Sequence, residues 1–313
     1  MSKRPLLAAL VAVAASTAVV VSLIAPSADA SVAAKRKPRP NPIGAVAKKP
    51  GALIGLAALQ NGKTTSPYFR SIEVAPEVDM SQPLPITGGG MARIWDLGVA
   101  WKDVNPAPGV FVWDNLDRRI ADVERAGFHP FMVLGLTPTW AAANPTLGDP
   151  RWGAGTASPP AQMSYWTDYV NAVSARYTTR IAGYEVWNEA NLKTFWGGTP
   201  QQMADLTTAA YNVIKANNPN AIVSAASVTT RLHGPMKAFV PLYVQTLATQ
   251  GYKYDAYAIH TYPAGDQGPP ARGADILYWE GTIIGSLPSN SPGLNKYIFD
   301  TEVNYGVPGP GTI

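Results

Sequence analysis

From residue 51 onward, short apolar runs alternate with amphipathic stretches of helical period, and no other feature limits the fold as much. Apolar runs at 52–56, 91–95, 130–136, 183–187, 221–225, 256–259 and 297–300 read as strands. Segments 116–126, 160–177, 235–249 and 275–287 read as helices, as does a stretch from Thr199-Pro200-Gln201-Gln202 to about 216. That last start carries a capping Thr, a proline for the first turn and a Gln three residues on. Asp114 and Ser158 are placed to cap two of the others, and Gly127 and Gly251 to end helices. Repeated strand–helix–strand units call for parallel strands joined by helical crossovers, so the class is α/β.

A closed barrel of such units takes about 250 residues, and an open doubly wound sheet fits the same pattern. No Gly-x-Gly-x-x-Gly or Gly-x-x-x-x-Gly-Lys turn follows a strand, which removes the usual reason to expect a nucleotide site. There are no cysteines, so disulfides, thiolate metal sites and cysteine nucleophiles are excluded. Of 25 Lys/Arg and 21 Asp/Glu, eight bases and one acid fall in residues 1–50. The rest keeps 17 bases and 20 acids, a net of −3, so the basic balance belongs to the N-terminal segment and does not point to nucleic acid.

Residues 1–30 read as an export signal. Lys3 and Arg4 precede an uncharged apolar stretch, and Ala28-Asp29-Ala30 offers a small-x-small cleavage site. The apolar stretch is long for a signal, so an uncleaved membrane anchor is the competing reading. Residues 31–50 are rich in Lys, Arg, Pro and Ala and read as a disordered linker. The expectation is a secreted protein with one domain over 51–313 and no stable membrane insertion after cleavage.

In parallel α/β barrels the chemistry lies at the carboxyl ends of the strands. The expected strands end in Arg93-Ile94-Trp95-Asp96, Thr137-Pro138-Thr139-Trp140, Glu185-Val186-Trp187-Asn188-Glu189, His260-Thr261-Tyr262 and Asp300-Thr301-Glu302. Two carboxylates, Glu189 and Glu302, thus share one rim with an Arg, a His, an Asn, a Tyr and several Trp. Glycoside hydrolysis needs that inventory: one acid protonates the leaving oxygen while a second carboxylate attacks, or activates water. Tryptophan faces can pack on the apolar side of sugar rings.

The Glu185-Val186-Trp187-Asn188-Glu189 segment resembles the Trp-Asn-Glu motif of the clan of retaining (β/α)8 glycosidases that holds cellulases, xylanases, β-xylosidases and β-galactosidases. The resemblance implies a (β/α)8 barrel with Glu189 as general acid/base and Glu302 as nucleophile. It also implies that Asn188 meets the sugar 2-hydroxyl, that Arg93 and Tyr262 hold the nucleophile, and that His260 belongs to the rim. Trp140 and the Trp113-Asp114-x-Leu116-Asp117 segment are similar to the family of β-xylosidases and α-L-iduronidase. Ala190 stands where many members have Pro. The clan pattern also has a further helix and strand after the nucleophile strand, so the barrel is expected to be truncated after strand seven, with exposed sheet edges.

Glu185 shares strand parity with Trp187 and Glu189, so all three are expected to face the interior, with Glu185 an ion-pair or hydrogen-bonding partner. Trp187 and Trp196 are read as substrate-binding, and Trp152, Phe195, Trp279 and Tyr305 as either sugar-binding or packing. His129 and His233 are expected on the surface. No metal site and no cofactor are expected, and the expected partner is a carbohydrate. The alternatives are a carbohydrate-binding barrel without turnover and a transglycosylase.

Overall fold

The computed structural model of the chain describes residues 53–54, 72–74, 90–262 and 269–303. The expected signal and linker lie outside these residues, as does Tyr305. Among the described residues no helix is long and apolar enough to cross a membrane.

The strands are β1 (Leu53–Ile54), β2 (Ile72–Val74), β3 (Met91–Ile94), β4 (His129–Leu134), β5 (Gly183–Val186), β6 (Ile222–Ser224), β7 (Val228–Thr229), β8 (Ala256–Thr261) and β9 (Tyr297–Val303). The helices are α1 (Trp101–Val104), α2 (Asp114–Arg125), α3 (Met163–Arg176), α4 (Pro200–Asn217), α5 (His233–Thr249) and α6 (Pro269–Ser286). Every ladder is parallel, in the order β1-β9-β8-β6-β5-β4-β3-β2, and β7 also pairs with β8.

The sheet is strongly rolled into a part-barrel, with β1 and β2 at its two ends among the described residues. Arg93 on β3 and Glu302 on β9 stand five ladder steps apart, which in a flat sheet is about 24 Å. Their side chains nevertheless meet at 2.9 Å. Nearer the amino ends of the strands, Phe131 on β4 and Phe299 on β9 meet edge to face with ring centroids 5.9 Å apart. Those rings join Met91, Ala182 and Ala256 in a small apolar cluster inside the curve. This cluster forms the floor beneath the polar side chains.

A larger core lies between the convex face of the sheet and the helices. Alternation along β3 shows why: Met91 and Arg93 turn inward, while Ala92 and Ile94 turn outward to the helical layer. Trp101, Trp166 and Tyr169 pack together there, with centroids 5.2 to 5.8 Å apart. Burying such rings dominates the energetics of a layer like this. Trp113 and Asp117 both hold Arg176, the first under its guanidinium and the second by an ion pair at 2.6 Å, fastening α2 to α3.

Several sequence expectations need correction. The strand beside β3 is β2, which was not marked as a strand. β1 lies instead against β9, pairing Leu53 with Ile298 and Ile54 with Phe299, so the outer side of β9 is paired at those two residues, and among the described residues β1 and β2 end the sheet, as expected of a truncated barrel. β4 ends at Leu134, since Gly135 (φ 143°) and Leu136 (φ 61°) leave the extended region. Asp114 sits in the first turn of α2 behind an N-cap at Trp113, and α3 starts only at Met163. Ser158 does not cap it: its hydroxyl accepts from Asn144 N at 2.9 Å and donates to the Pro159 carbonyl. The start of α4 is as expected: Thr199 and Gln202 exchange both capping-box bonds, at 2.8 and 3.1 Å, with Pro200 in the first turn.

Candidate active site

Two backbone irregularities position the polar side chains, and neither follows from simple alternation. The first is at the end of β5, where Trp187 (φ 90°) and Glu189 (φ 39°) adopt left-handed backbone. Such angles in non-glycine residues cost energy and persist only where the surroundings impose them. Here Trp187 N donates to the Leu134 carbonyl, Ser227 N to the Trp187 carbonyl, and Ala190 N to the Ser227 carbonyl. The buried Ser227 hydroxyl accepts from Glu189 N at 2.9 Å. Asn191 adds a pair of bonds to the backbone of Thr229, both at 3.0 Å.

The kink breaks the expected parity. Glu185 faces the interior, but Trp187 turns out to the helical layer, against Trp166 and Trp196 at 6.0 and 5.0 Å. Asn188 takes the inward place, where its Oδ1 accepts from Arg93 Nη2 at 2.7 Å.

The second irregularity is a bulge between β8 and β9. Ile259 pairs with Asp300, but His260 pairs with Glu302, so Thr301 is the extra residue. Tyr297 and Phe299 face the interior floor, and alternation would then send residue 302 outward. The bulge reverses this, as bulges beside functional sites often do. Glu302 arrives on the inner face next to His260.

The assembled cluster is dense. Arg93 gives Nε and Nη2 to the two oxygens of Glu185, at 3.2 and 2.7 Å, and Nη1 to Glu302 Oε2 at 2.9 Å. The Tyr262 hydroxyl donates to the other oxygen of Glu302. His260 Nδ1 lies 3.2 Å from Glu189 Oε1 and 3.7 Å from Glu302 Oε2. Two oxygens sharing one nitrogen at those distances are at most their sum, about 7 Å, apart. Arg93, Glu185 and His260 are buried, whereas Glu189 and Glu302 keep 14% and 16% side-chain exposure. The two outer carboxylates are therefore the ones a ligand can touch.

Burial raises the Glu302 carboxyl, but His260, Arg93 and Tyr262 together outweigh it and hold it below the usual carboxylate range. Burial lowers the His260 imidazole, yet the Glu302 charge and the hydrogen bond to Glu189 win, and it is pushed up to about 9. The site thus keeps one carboxylate ionised beside two cations, with a second carboxylate on the same imidazole. Such a pair can work on a bond placed between them.

The remaining expected site residues fall apart from this group. Trp196 is 1% exposed, and its indole N–H donates to the Thr199 carbonyl. Trp187 is equally buried and donates to the Phe195 carbonyl. Neither ring has a free face for a sugar, so reading them as substrate-binding is corrected to packing. Trp279 is likewise buried. Trp140 is half-buried, its N–H on the Asn105 carbonyl and its ring against Tyr165. His233 is exposed and His129 half-buried.

The sequence reading missed Ser227 and the packing of Trp95 beside Arg93. The Arg93 guanidinium lies 5.9 Å from the Trp95 ring. Trp95 forms a trio with Trp152 and Phe195 at centroid distances of 5.7 to 6.1 Å. Its place two residues after Arg93, at a strand end, was the available signal.

No family model matches the sequence. Solved structures resemble it in fold. The GH39 enzyme from Xanthomonas axonopodis pv. citri superposes with a TM-score of 0.54 at 24% identity, over 70% of this chain and 45% of that one. A GH39 β-xylosidase from Caulobacter crescentus gives 0.52 at 24% identity, over 70% and 47%. A family 39 glycoside hydrolase from the gut symbiont Bacteroides cellulosilyticus WH2 gives 0.51 at 20% identity, over 75% and 48%. The chain spans less than half the length of each. What it shares with them is the barrel architecture.

Proposed function

We propose that this chain carries the barrel of a secreted retaining glycoside hydrolase, with Glu302 as nucleophile and Glu189 as general acid/base. The observation that carries the reading is that two partly exposed carboxylates, from β9 and the end of β5, meet on one imidazole nitrogen. The two oxygens on that nitrogen are at most about 7 Å apart, a limit that includes the separation of about 5–5.5 Å needed for direct attack.

Each neighbour then has a task. Arg93 and Tyr262 hold one oxygen of Glu302 each, keeping the carboxylate ionised and aimed at the anomeric carbon. Glu302 attacks, and Glu189 gives its proton to the departing oxygen, so a glycosyl ester forms and an alcohol leaves. Glu189, now a carboxylate beside the His260 cation, takes a proton from water as the water opens the ester. Asn188, the residue that the resemblance places at the sugar 2-hydroxyl, lies buried behind Glu189 with its Oδ1 held by Arg93. One of the fold neighbours is a β-xylosidase, which makes β-xylosides the first substrates to try.

Mass spectrometry after incubation with a panel of 2-fluoro-glycosides tests the reading, with 2-fluoro-xylosides first. The expected result is one adduct, on the peptide holding Glu302, absent from Glu302→Ala. Hydrolysis that proceeds with inversion, or an adduct on another residue, overturns it.

A further inference from the structure

Glu185 is the one carboxylate of the cluster that the proposed reaction leaves idle. It is fully buried and deep in the interior, on the same strand that ends in Asn188 and Glu189. Burying a carboxylate is costly unless its charge and lone pairs are matched. Glu185 is matched on both oxygens by the Arg93 fork, and its Oε1 also stands 3.9 Å from His260 Nε2.

The geometry makes it more than a filler of space. A guanidinium is planar, and fixing two of its nitrogens fixes the direction of the third. With Nε and Nη2 on Glu185, Nη1 points at Glu302 and the second bond of Nη2 reaches Asn188. Two cations, Arg93 and a protonated His260, face the buried Glu185 and the partly exposed Glu302. The groups facing one another are Arg93 from β3, Glu185 and Glu189 from β5 and its end, His260 and Tyr262 from β8 and its end, and Glu302 from β9.

We propose that Glu185 is a positioning residue: from beneath the site it aims the Arg93 fork at Glu302 and balances the two cations that Glu302 and Glu189 require. The inference rests on the reaction proposed above, but one arm of its test does not need turnover.

The test uses the full chain with Glu185→Gln, which keeps the shape and removes the charge, and Glu185→Asp, which keeps the charge and shortens the reach. The chain has three histidines, His129, His233 and His260, so ring NMR can follow each, with His260→Asn to assign the third. In Glu185→Gln the His260 midpoint should fall by about one pH unit or more, while the other two stay in place. In Glu185→Asp it should move less. On an aryl glycoside that the wild type cleaves, both variants should lose kcat by about tenfold or more with KM within about threefold. An unchanged His260 midpoint in folded Glu185→Gln, or wild-type kcat in Glu185→Asp, overturns the proposal. A wild type that cleaves no glycoside defeats the reaction proposed above, and the NMR arm still decides the part played by Glu185.

Discussion

Arg93 Nη1 and Glu302 Oε2 are 2.9 Å apart, although 209 residues of chain and five strand pairings separate them. This contact both reports the curvature of the sheet and helps hold the carboxylate ionised. The same guanidinium also serves Glu185 and Asn188, so its fork geometry matters as much as its charge. Arg93→Lys keeps the charge but cannot make the paired bonds. It should lower kcat/KM by about 100-fold or more, as expected when a positioning group is lost. Steady-state kinetics on an aryl glycoside would check this, and a variant within threefold of wild type would contradict the role.

Ser227 carries a second prediction. Its hydroxyl is the acceptor for Glu189 N, and its backbone brackets the left-handed turn at Trp187. Ser227→Ala leaves that amide without its acceptor, at about 1–3 kcal/mol. Glu189 should then be less well held, with kcat down about tenfold and KM little changed. Loss of stability with full activity per folded molecule would argue that the hydroxyl only supports the fold.

Trp196 separates a packing role from a sugar-binding one. It is buried against Trp187 at 5.0 Å. Trp196→Ala should cost about 3–5 kcal/mol of stability, the usual result of emptying a large aromatic site. Chemical denaturation would show it as a lower midpoint. A variant of wild-type stability with a raised KM would restore the sugar-binding reading.

How much of this was open to the sequence depends on how local each cause is. The α4 capping box was legible because Thr199, Pro200 and Gln202 act within four residues of each other. The strand-end residues were legible because a parallel sheet has one functional rim, and the motif around Asn188 and Glu189 is carried whole by one segment. β2 was missed because Ile72-Glu73-Val74 is too short to show a period. The turn at Trp187 and the bulge at Thr301 are backbone events fixed by Ser227 and by pairing with β8, distant partners that no local pattern encodes. Trp196 was misread for the same reason, since nearness to Glu189 in sequence says nothing about which way a ring points.

Gly135 gives a prediction about the backbone alone. Its φ of 143° lies where side chains are rarely tolerated, and a Cβ there would sit 3.0 Å from the Trp187 ring. Gly135→Ala should therefore push on the turn that presents Glu189. The expected cost is about 1–3 kcal/mol, with activity falling further than stability. Thermal unfolding and kinetics on the same preparation would show this, and equal stability of both proteins would mean that the turn is not under this constraint.

The buried cluster also fixes how stability responds to pH. The His260 imidazole is raised from its ordinary 6.5 to about 9 in the folded chain. Folding then favours the protonated ring, so its contribution is complete below about pH 6.5 and is lost as pH rises through about 9. Glu302 acts in the opposite sense. Its carboxyl is depressed, so that contribution is present above its ordinary 4.5 and is lost on acidification below it. The unfolding midpoint of the wild type should be highest between these limits and should fall on the alkaline side before tyrosines or lysines titrate. His260→Asn should be less stable at pH 6 and lack the alkaline fall, because the group that titrates there is gone. A wild-type midpoint that stays level from about pH 6.5 to 9.5 would mean that His260 is not held as a cation between the two carboxylates.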